Sequence, residues 1–356
     1  DFMFGNMLMF LFLTKRFGLM ALTSLCLTLV VFFLTNLQPN LEKLAKTQAN
    51  NRMTDDQVVS WLARNGYDRN LFIRYGEWLG VVPGWQAIED NGKLAGKCTY
   101  LERDLGYVPT YCGLLQGKLG YTSLFQGKVE EIVGKRLLLT GKLMFWVMVV
   151  MVPSALVVGV VAGMREGTRT DRSLSTFSII TTATPEYVSG VVFIVIFSSS
   201  AVGLKWLNGS ATTAMDGITF SNFTLPVMTM ALYGMGYIAR MTRASMAEVM
   251  TAQYIRTARL KGVSFKNIVL KHALRNALIA PFTVIMLQFP WLLTGVVIVE
   301  TLFNYKGFGW TLVQAAGNND IELLLSCSIA AVLVVLITQL ISDIGYVYLN
   351  PKIRVN

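Results

Sequence analysis

The chain contains few charged residues and a single histidine. Asp, Glu, Lys and Arg make up only 15% of its 356 residues, against about 25% in a typical soluble domain. This composition excludes an ordinary soluble protein. His272 has no second histidine, no adjacent acidic cluster and no cysteine pair at zinc spacing, so neither a metal site nor a catalytic role is expected of it. We expect His272 to pack structurally beneath a helix.

The motifs of common membrane enzymes and nucleotide hydrolases are also missing. The sequence has no HExxH, no phosphate-binding loop with its lysine, and no nucleophile elbow. We therefore expect a chain that is not an enzyme, binds no cofactor or metal and does not itself hydrolyse ATP. The net charge of +10 does not predict a nucleic-acid partner, because the excess lies mainly in short segments beside apolar runs.

Long apolar runs dominate what is present. Hydrophobic residues make up 53% of the chain, and the mean hydropathy is +0.51. A helix needs about 20 mostly apolar residues to cross ~30 Å of hydrocarbon, and a lipid-exposed backbone must satisfy its own hydrogen bonds. The sequence therefore predicts an all-α polytopic membrane protein with six transmembrane helices. Their approximate ranges are 17–37, 137–161, 173–202, 223–238, 278–302 and 321–349.

Lysine and arginine residues flank alternate ends of these predicted helices. Basic residues precede the first helix and follow the second, fourth and sixth. Short basic loops are retained on the cytoplasmic side. We therefore expect a multi-pass membrane protein with both termini, including the tail 350–356, in the cytoplasm. Segment 38–136 then forms a small external, periplasmic cap between helices 1 and 2.

The apolar start of the chain, residues 2–13, is too short to span a membrane. We expect an interfacial segment over residues 1–16 that leads into the first transmembrane helix. The alternative is a longer, tilted first helix.

The predicted cap carries local signals for two helices and one cross-link. Thr54 and Gln57 fit a capping box at the start of a helix, and a second helix is predicted over residues 70–79. Cys98 and Cys112 both lie in the cap. A disulfide between them is favoured in an oxidising periplasm, and two unpaired thiols are the alternative.

Three residues are candidates for a solute pathway. Glu186 follows Pro185 near the middle of the third predicted helix, where a charge must face protein or water. The alternatives are a structural kink at the proline and a helix that ends there. Glu300 lies near the end of the fifth helix, where it either lines the pathway or reaches the interface. Gly159 and Gly163 match a helix-contact motif, although ordinary glycine content explains them equally well.

A strongly basic segment separates the fourth and fifth predicted helices. Residues 240–283 contain eight Lys or Arg and one acid, Glu248. We predict a cytoplasmic loop over 240–277 with a helix-loop-helix pattern and a break at Gly262. The basic residues either contact a soluble partner or hold the loop at an anionic membrane surface.

This segment resembles the cytoplasmic coupling loop of bacterial ABC-importer permeases of the dipeptide, oligopeptide and nickel class. The resemblance rests on TARLKG (Thr257–Gly262), HALRNAL (His272–Leu278) and Pro281. Other segments resemble that class in matching order, namely residues 54–79, 120–125, 299–309 and 349–354. The departures from its pattern are Gln253, Lys306, Asn350 and an insertion around 81–119.

The resemblance implies a channel-forming subunit, in the bacterial inner membrane, of an ATP-driven importer for peptides or peptide-like solutes. Its partners would be a second permease subunit, two ABC ATPase subunits that bind ATP and Mg, and a periplasmic solute-binding protein. An ATP-independent channel or secondary carrier is the alternative. The residues implied in contact with the ATPase are Tyr254, Arg256, Thr257, Ala258, Arg259, Lys261, Gly262 and Arg275. Tyr254, Thr257, Ala258 and Lys261 share one helix face by spacing, and the small residues among them would permit close approach.

Overall fold

A computed structural model describes residues 2–50, 52–88, 94–200 and 204–349. Most of these residues are helical. The chain divides into two compact units. We call the unit built mainly on Leu139–Trp310 the central unit, and the unit built on Leu13–Leu138 with Thr311–Leu333 the N-terminal unit.

Fifteen α-helices and four short strands make up the regular structure of the described residues. In chain order the helices are α1 (Phe2–Thr35), α2 (Gln38–Gln48), α3 (Asp55–Arg64), α4 (Leu71–Leu79), α5 (Glu102–Leu105), α6 (Val129–Met164), α7 (Arg169–Ala183), α8 (Glu186–Phe197), α9 (Phe220–Thr251), α10 (Gln253–Leu260), α11 (Phe265–Asn267), α12 (Leu274–Ala277), α13 (Ile279–Leu302), α14 (Phe308–Gly317) and α15 (Ile321–Leu349). The strands are β1 (Gln86–Ile88), β2 (Leu94–Gly96), β3 (Tyr121–Thr122) and β4 (Gly127–Lys128).

The two short β-hairpins are a departure from the all-α prediction. β1 pairs antiparallel with β2, and β3 pairs antiparallel with β4. Each strand has only two or three residues, too few to show the alternating hydrophobic pattern that predicts a strand. The rest of the described fold is helical, with 3-10 turns and one π-helical stretch.

The N-terminal unit has an aromatic core. Phe32 of α1 packs edge-on against Tyr75 of α4, with ring centroids 5.3 Å apart. Tyr75 stacks in turn on Trp78 at 6.1 Å. Its hydroxyl is 2.8 Å from the hydroxyl of Thr28, so the buried polar atoms of the two residues satisfy each other.

Both helices predicted in the cap are present. The Gln57 side chain accepts a hydrogen bond from the Thr54 backbone amide at 3.1 Å, and the capping box is complete. Asn70 caps α4 by accepting from Phe72 N at 2.9 Å. Farther along the same unit, the structure joins Cys98 to Cys112 in a disulfide with Cα atoms 5.7 Å apart.

Two glycines permit close packing inside the central unit. A Cβ atom on Gly159 of α6 would lie 2.4 Å from Thr242 Cβ of α9, and one on Gly163 would lie 2.6 Å from Met246 Cβ. Real Cβ contacts are never that short, so any larger residue forces the two helices apart. The helix-contact interpretation of this glycine pair is therefore confirmed.

The predicted six transmembrane helices are not confirmed. Among the described residues, three helices are long and apolar enough to cross a membrane, or up to five if two bent helix pairs each form one span. The fourth predicted span lies in α9 but is not among these candidates. Polar side chains such as Asn222 and Tyr233 lower the hydropathy of α9, and much of this helix is buried by its own unit, so it needs less apolar surface.

Three boundaries also differ from the sequence-based prediction. The third predicted span is two helices, α7 and α8, which meet at Pro185 with a bend of 105°. α9 continues through Arg240 to Thr251, so the predicted loop at 240–277 begins as helix. α1 runs from Phe2 to Thr35 in one piece and shows no separate N-terminal segment. The predicted tail 350–356 lies outside the described residues.

Candidate functional site

α10 is the centre of the predicted partner-binding segment. Its apolar underside consists of Ile255, fully buried, and Ala258, which is 8% exposed. These two residues pack with Met246 of α9 and with Ile268 and Ala273 of the following π-helical stretch. Because α10 has only eight residues, it would be marginal alone, and this packing is what holds it in place.

A Schellman motif ends α10 at Gly262. Gly262 N donates to Arg259 O at 3.0 Å, and Val263 N donates to Ala258 O at 3.2 Å. Gly262 has a φ of +72°, the left-handed conformation that this motif requires and that glycine adopts without a steric penalty. Val263 packs against the same apolar cluster as Ala258. The predicted break at Gly262 is therefore present and has a defined geometry.

The outer face of α10 is basic and largely exposed. Arg256, Thr257, Arg259 and Lys261 are exposed, and Tyr254 is 42% exposed. Because the buried underside holds α10 in place, these side chains form a positively charged surface that can pair with carboxylates of a protein partner.

Two residues of this segment are not where the sequence predicted them. Ala258 does not share the open face with Tyr254 and Thr257, because it faces the apolar cluster of its own chain. His272 is exposed and does not pack beneath the helix. In the π-helical stretch Ile268–Ala273, the inward positions are taken by Ile268, Val269 and Ala273, and the sequence gives no signal for that altered helical period.

Sequence reasoning also missed the most exposed apolar residue of the segment. Leu260, in the last turn of α10, is 82% exposed. A leucine so exposed beside three cations adds an apolar contact to the charged face, as at the centre of protein interfaces. The sequence did carry a signal for this exposure, because the helical spacing places Leu260 away from the buried face formed by Ile255 and Ala258.

The segment is braced from the neighbouring helices. Tyr254 accepts a hydrogen bond from Asn276 of α12 at 2.9 Å, next to the exposed Arg275. Ser245 of α9 donates to Ala277 O at 2.8 Å. These contacts link α9, α10 and α12, so a force applied to α10 would be passed to α9.

Arg243 of α9 forms an ion pair that the sequence did not reveal. Its guanidinium donates twice to Asp171 of α7, at 2.9 and 2.8 Å. Asp171 is 3% exposed and also accepts from Gly167 N and from the Ser175 hydroxyl. The charge on Arg243 therefore braces α7 against α9 and does not belong to the open basic surface.

The pathway candidates occupy two different settings. Pro185 is the N-terminal cap of α8, and Glu186 lies half-buried in its first turn, where the helix dipole favours a carboxylate. The Glu186 Oε1 atom lies close to Gly295 of α13, 3.4 Å from where a Cβ would be. The helix-ending alternative is therefore correct for Pro185, whereas a pathway role for Pro185 and Glu186 stays a prediction.

Glu300 is completely buried and heavily hydrogen-bonded. It accepts from the Thr140 hydroxyl of α6 and from Trp310 N, the latter at 2.9 Å. Thr140 accepts in turn from Phe308 N at 2.8 Å. A Cβ on Gly307 would lie 2.1 Å from Glu300 Oε1, so glycine is required there. The carboxylate thus fastens the turn between α13 and α14 to α6, and its predicted role in a pathway is not needed to explain its burial.

Within the described ranges, no group of three or more His, Cys, Asp or Glu side chains is placed to hold a metal ion. The chemistry that the segment offers is recognition, through cations and an exposed leucine on a fixed helix.

Comparison with known proteins gives a consistent set of relatives. The sequence model of the family described as "Binding-protein-dependent transport system inner membrane component" matches residues 155–355. A probable peptide ABC transporter permease protein of Sinorhizobium fredii is 35% identical over 199 residues, which are 55% of this chain and 63% of that protein. An oligopeptide transport system permease protein of Haemophilus influenzae is 36% identical over 204 residues, or 56% of this chain and 65% of that protein.

A third relative is named for a different solute. A glutathione transport system permease protein of Escherichia coli is 35% identical over 196 residues, covering 55% of this chain and 61% of that protein. The alignments thus span less than two thirds of the length of these relatives.

Proposed function

Because the chain belongs to the family of binding-protein-dependent transport system inner membrane components, we propose that it is a channel-forming permease subunit of an ATP-driven importer. The proposal is supported by the family match over residues 155–355 and by relatives named as permeases for peptides, oligopeptides and glutathione. Peptides or peptide-like solutes are therefore the proposed cargo.

In this proposal α10 is the element that a separate ATPase subunit contacts. The single observation that carries this role is the exposed basic face of α10 above a fully buried Ile255. A helix that is held from below moves as one body with the elements beneath it. Closure of the ATPase subunits would therefore displace α10 and, through the Tyr254 and Ser245 hydrogen bonds, the helices α12 and α9.

The proposed assembly contains partners on both sides of the inner membrane. A second permease subunit would complete the pathway, two ATPase subunits would bind ATP and Mg in the cytoplasm, and a solute-binding protein would deliver cargo from the periplasm. Alternating access then follows as a shift between two conformations that ATP binding favours differently. Both chain termini would be cytoplasmic, as the distribution of Lys and Arg indicates.

The test is uptake of radiolabelled trialanine by proteoliposomes that contain the complete complex. Substituting Leu260→Asp places a charge on the proposed contact surface while leaving the buried underside intact. We expect uptake and uptake-linked ATP hydrolysis to fall at least tenfold, as the loss of a central contact at an interface would cause.

The matched control is Leu270→Asp. Leu270 lies in the π-helical stretch outside α10 and is also exposed, at 53%. We expect this variant to retain uptake within about twofold, since exposed substitutions away from an interface are usually close to neutral. Trialanine uptake that runs equally fast without ATP would instead support an ATP-independent channel and would overturn the proposal.

A further inference from the structure

The N-terminal unit contains a partly open cavity that no part of the proposed transport function uses. Its volume is about 420 Å³, within the roughly 300–1,000 Å³ of small-molecule sites. The aromatic side chains that line it are Phe32, Trp61, Tyr67, Trp85, Tyr100 and Tyr121. Burial raises the pKa of both Tyr67 and Tyr100, so these phenols stay neutral near pH 7.

Three of the charged side chains in the cavity wall already have partners. Arg69 forms a two-armed ion pair with Glu77, in which one N–O distance is 2.7 Å. Arg74 donates to the Asn36 side chain and to Tyr67 O, the latter at 3.1 Å. Each of these three side chains is therefore already paired within the protein.

Lys97 and Glu322 are the two charged side chains of the cavity wall that are not paired in this way. Both line the cavity, yet among the described residues neither side chain makes a hydrogen bond or an ion pair. The Glu322 Oε2 atom is sealed from solvent without a donor. Burial lowers the pKa of Lys97, and the nearby carboxylate of Glu322 acts in the opposite direction. A buried carboxylate oxygen without a donor is costly, so a hydrogen-bond donor bound in the cavity would stabilise this wall.

Both residues are held by fixed backbone. Lys97 N donates to Trp85 O at 3.1 Å, extending the β1–β2 pairing, and the next residue, Cys98, is tied to Cys112. Glu322 lies in the first turn of α15. Gly120 leaves room for its carboxylate, because a Cβ there would lie 3.0 Å from Oε2. The two opposite charges are therefore presented from anchored positions.

We propose that this cavity binds a small zwitterion, an α-amino acid or a short peptide, with its carboxylate on Lys97 and its ammonium on Glu322. One such molecule supplies an anion to Lys97 and a cation to Glu322, the two charged groups of the wall that make no hydrogen bond or ion pair within the described residues. The aromatic wall provides apolar surface for the side chain and a face for the ammonium group. The site lies apart from α10 in the sequence and in a different unit, and it does not depend on the chain being an importer.

The test is equilibrium dialysis of the full-length chain in lipid nanodiscs. The probes are radiolabelled L-alanine and L-alanyl-L-alanine, with N-acetyl-L-alanyl-L-alanine and L-alanyl-L-alanine amide as dipeptides that each lack one charge. We expect saturable binding of at least one of the two zwitterions, and binding at least tenfold weaker for both blocked dipeptides if the dipeptide is the ligand. Saturable binding of neither zwitterion would overturn the proposal without bearing on transport. Where the dipeptide binds, equal binding of its blocked forms would overturn it as well.

Variants assign each charge to its partner. Glu322→Gln is expected to weaken binding of the preferred zwitterion about tenfold or more, yet to leave binding of the N-acetyl form of the same compound unchanged. Lys97→Gln is likewise expected to weaken binding of the preferred zwitterion about tenfold or more. It should leave binding of the amide, which lacks the carboxylate, unchanged. Lys43→Gln is the control, because Lys43 is an exposed lysine of α2 that does not line the cavity. If a substitution also weakens binding of the blocked probe that lacks the matching charge, the assignment of that charge is wrong. Circular dichroism checks that each variant is folded.

Discussion

Gly262 permits a prediction that depends on the backbone alone. It ends α10 with a φ of +72°, and a Cβ placed on it would meet no atom within 4 Å. A substitution therefore creates no clash with the rest of the protein. Its whole effect comes from forcing an L-residue into the left-handed conformation that the Schellman motif requires.

The size of the effect follows from this conformation. An ordinary L-residue pays about 1–2 kcal/mol in the left-handed region, and a β-branched residue is a stronger outlier there. Asn tolerates that region better than other non-glycine residues. We therefore expect the local stability of α10 to fall in the order Gly262, Gly262→Asn, Gly262→Ala, Gly262→Val. For Gly262→Ala the loss should be about 1–2 kcal/mol.

The assay is amide hydrogen exchange on the intact chain in nanodiscs. Local opening exposes the amides of α10, and a loss of about 1–2 kcal/mol raises their exchange rates roughly 5- to 30-fold. Peptides from α3, which lies in the other unit, serve as the internal reference and should exchange at unchanged rates. In the complete complex, Gly262→Val should also lower ATP-dependent uptake without reducing membrane insertion.

Two results would refute this reasoning. Equal protection of α10 in the Gly262→Ala and wild-type chains would mean that the left-handed turn does not limit the stability of the helix. A larger loss for Gly262→Asn than for Gly262→Val would mean that the side chain meets a neighbour, contrary to the open space around Gly262.

Three further predictions concern residues that hold the fold together. Glu300→Gln should lower stability by about 1.5–3 kcal/mol, because a buried charged acceptor is lost; an unchanged thermal midpoint in detergent would contradict this. Arg243→Lys keeps the charge but gives up the two-armed geometry with Asp171, so its midpoint should lie between those of the wild type and Arg243→Ala; a value equal to that of Arg243→Ala would show that the charge alone contributes nothing. Cys98→Ser should cost the N-terminal unit about 3 kcal/mol, and reduction of the wild type by dithiothreitol should have the same effect on urea unfolding, whereas a chain insensitive to both would lack the bond.

Features set by neighbouring residues were the ones that the sequence predicted well. Thr54 and Gln57 are three residues apart and satisfy each other's backbone amides wherever the chain folds. Gly262 follows a helical stretch and supplies the one conformation that most residues avoid. The contact made by the glycine pair in α6 was predicted only in part. Its spacing predicted a close contact, but only the structure identifies Thr242 and Met246 as the contacted residues.

Features set by distant residues could not be predicted in the same way. The burial of Ala258 depends on Met246 and Ile268, which the helical spacing of α10 does not reveal. The exposure of His272 depends on a π-helical stretch whose period differs from the one that the prediction assumed. The continuation of α9 past Arg240 depends on packing against its neighbours, because the basic composition alone indicated a loop. Arg243 likewise counted only as one of the eight basic residues of 240–283, because the sequence does not reveal its partner Asp171, which is 72 residues away.

The two acidic pathway candidates show how structure separates residues that look alike in sequence. Both are single carboxylates near proline- or glycine-containing breaks in apolar helices, and both would be costly in a bilayer if unsatisfied. Glu300 is satisfied by donors from α6 and from the first turn of α14, and Gly307 leaves the space that its carboxylate occupies. Glu186 lies in the first turn of α8 and is only partly buried, so the helix dipole stabilises its charge without the complete burial seen for Glu300. A pathway through the central unit therefore has its better candidate at the α7–α8 break, where the backbone already turns by 105°, and Glu300 instead fixes the frame around it.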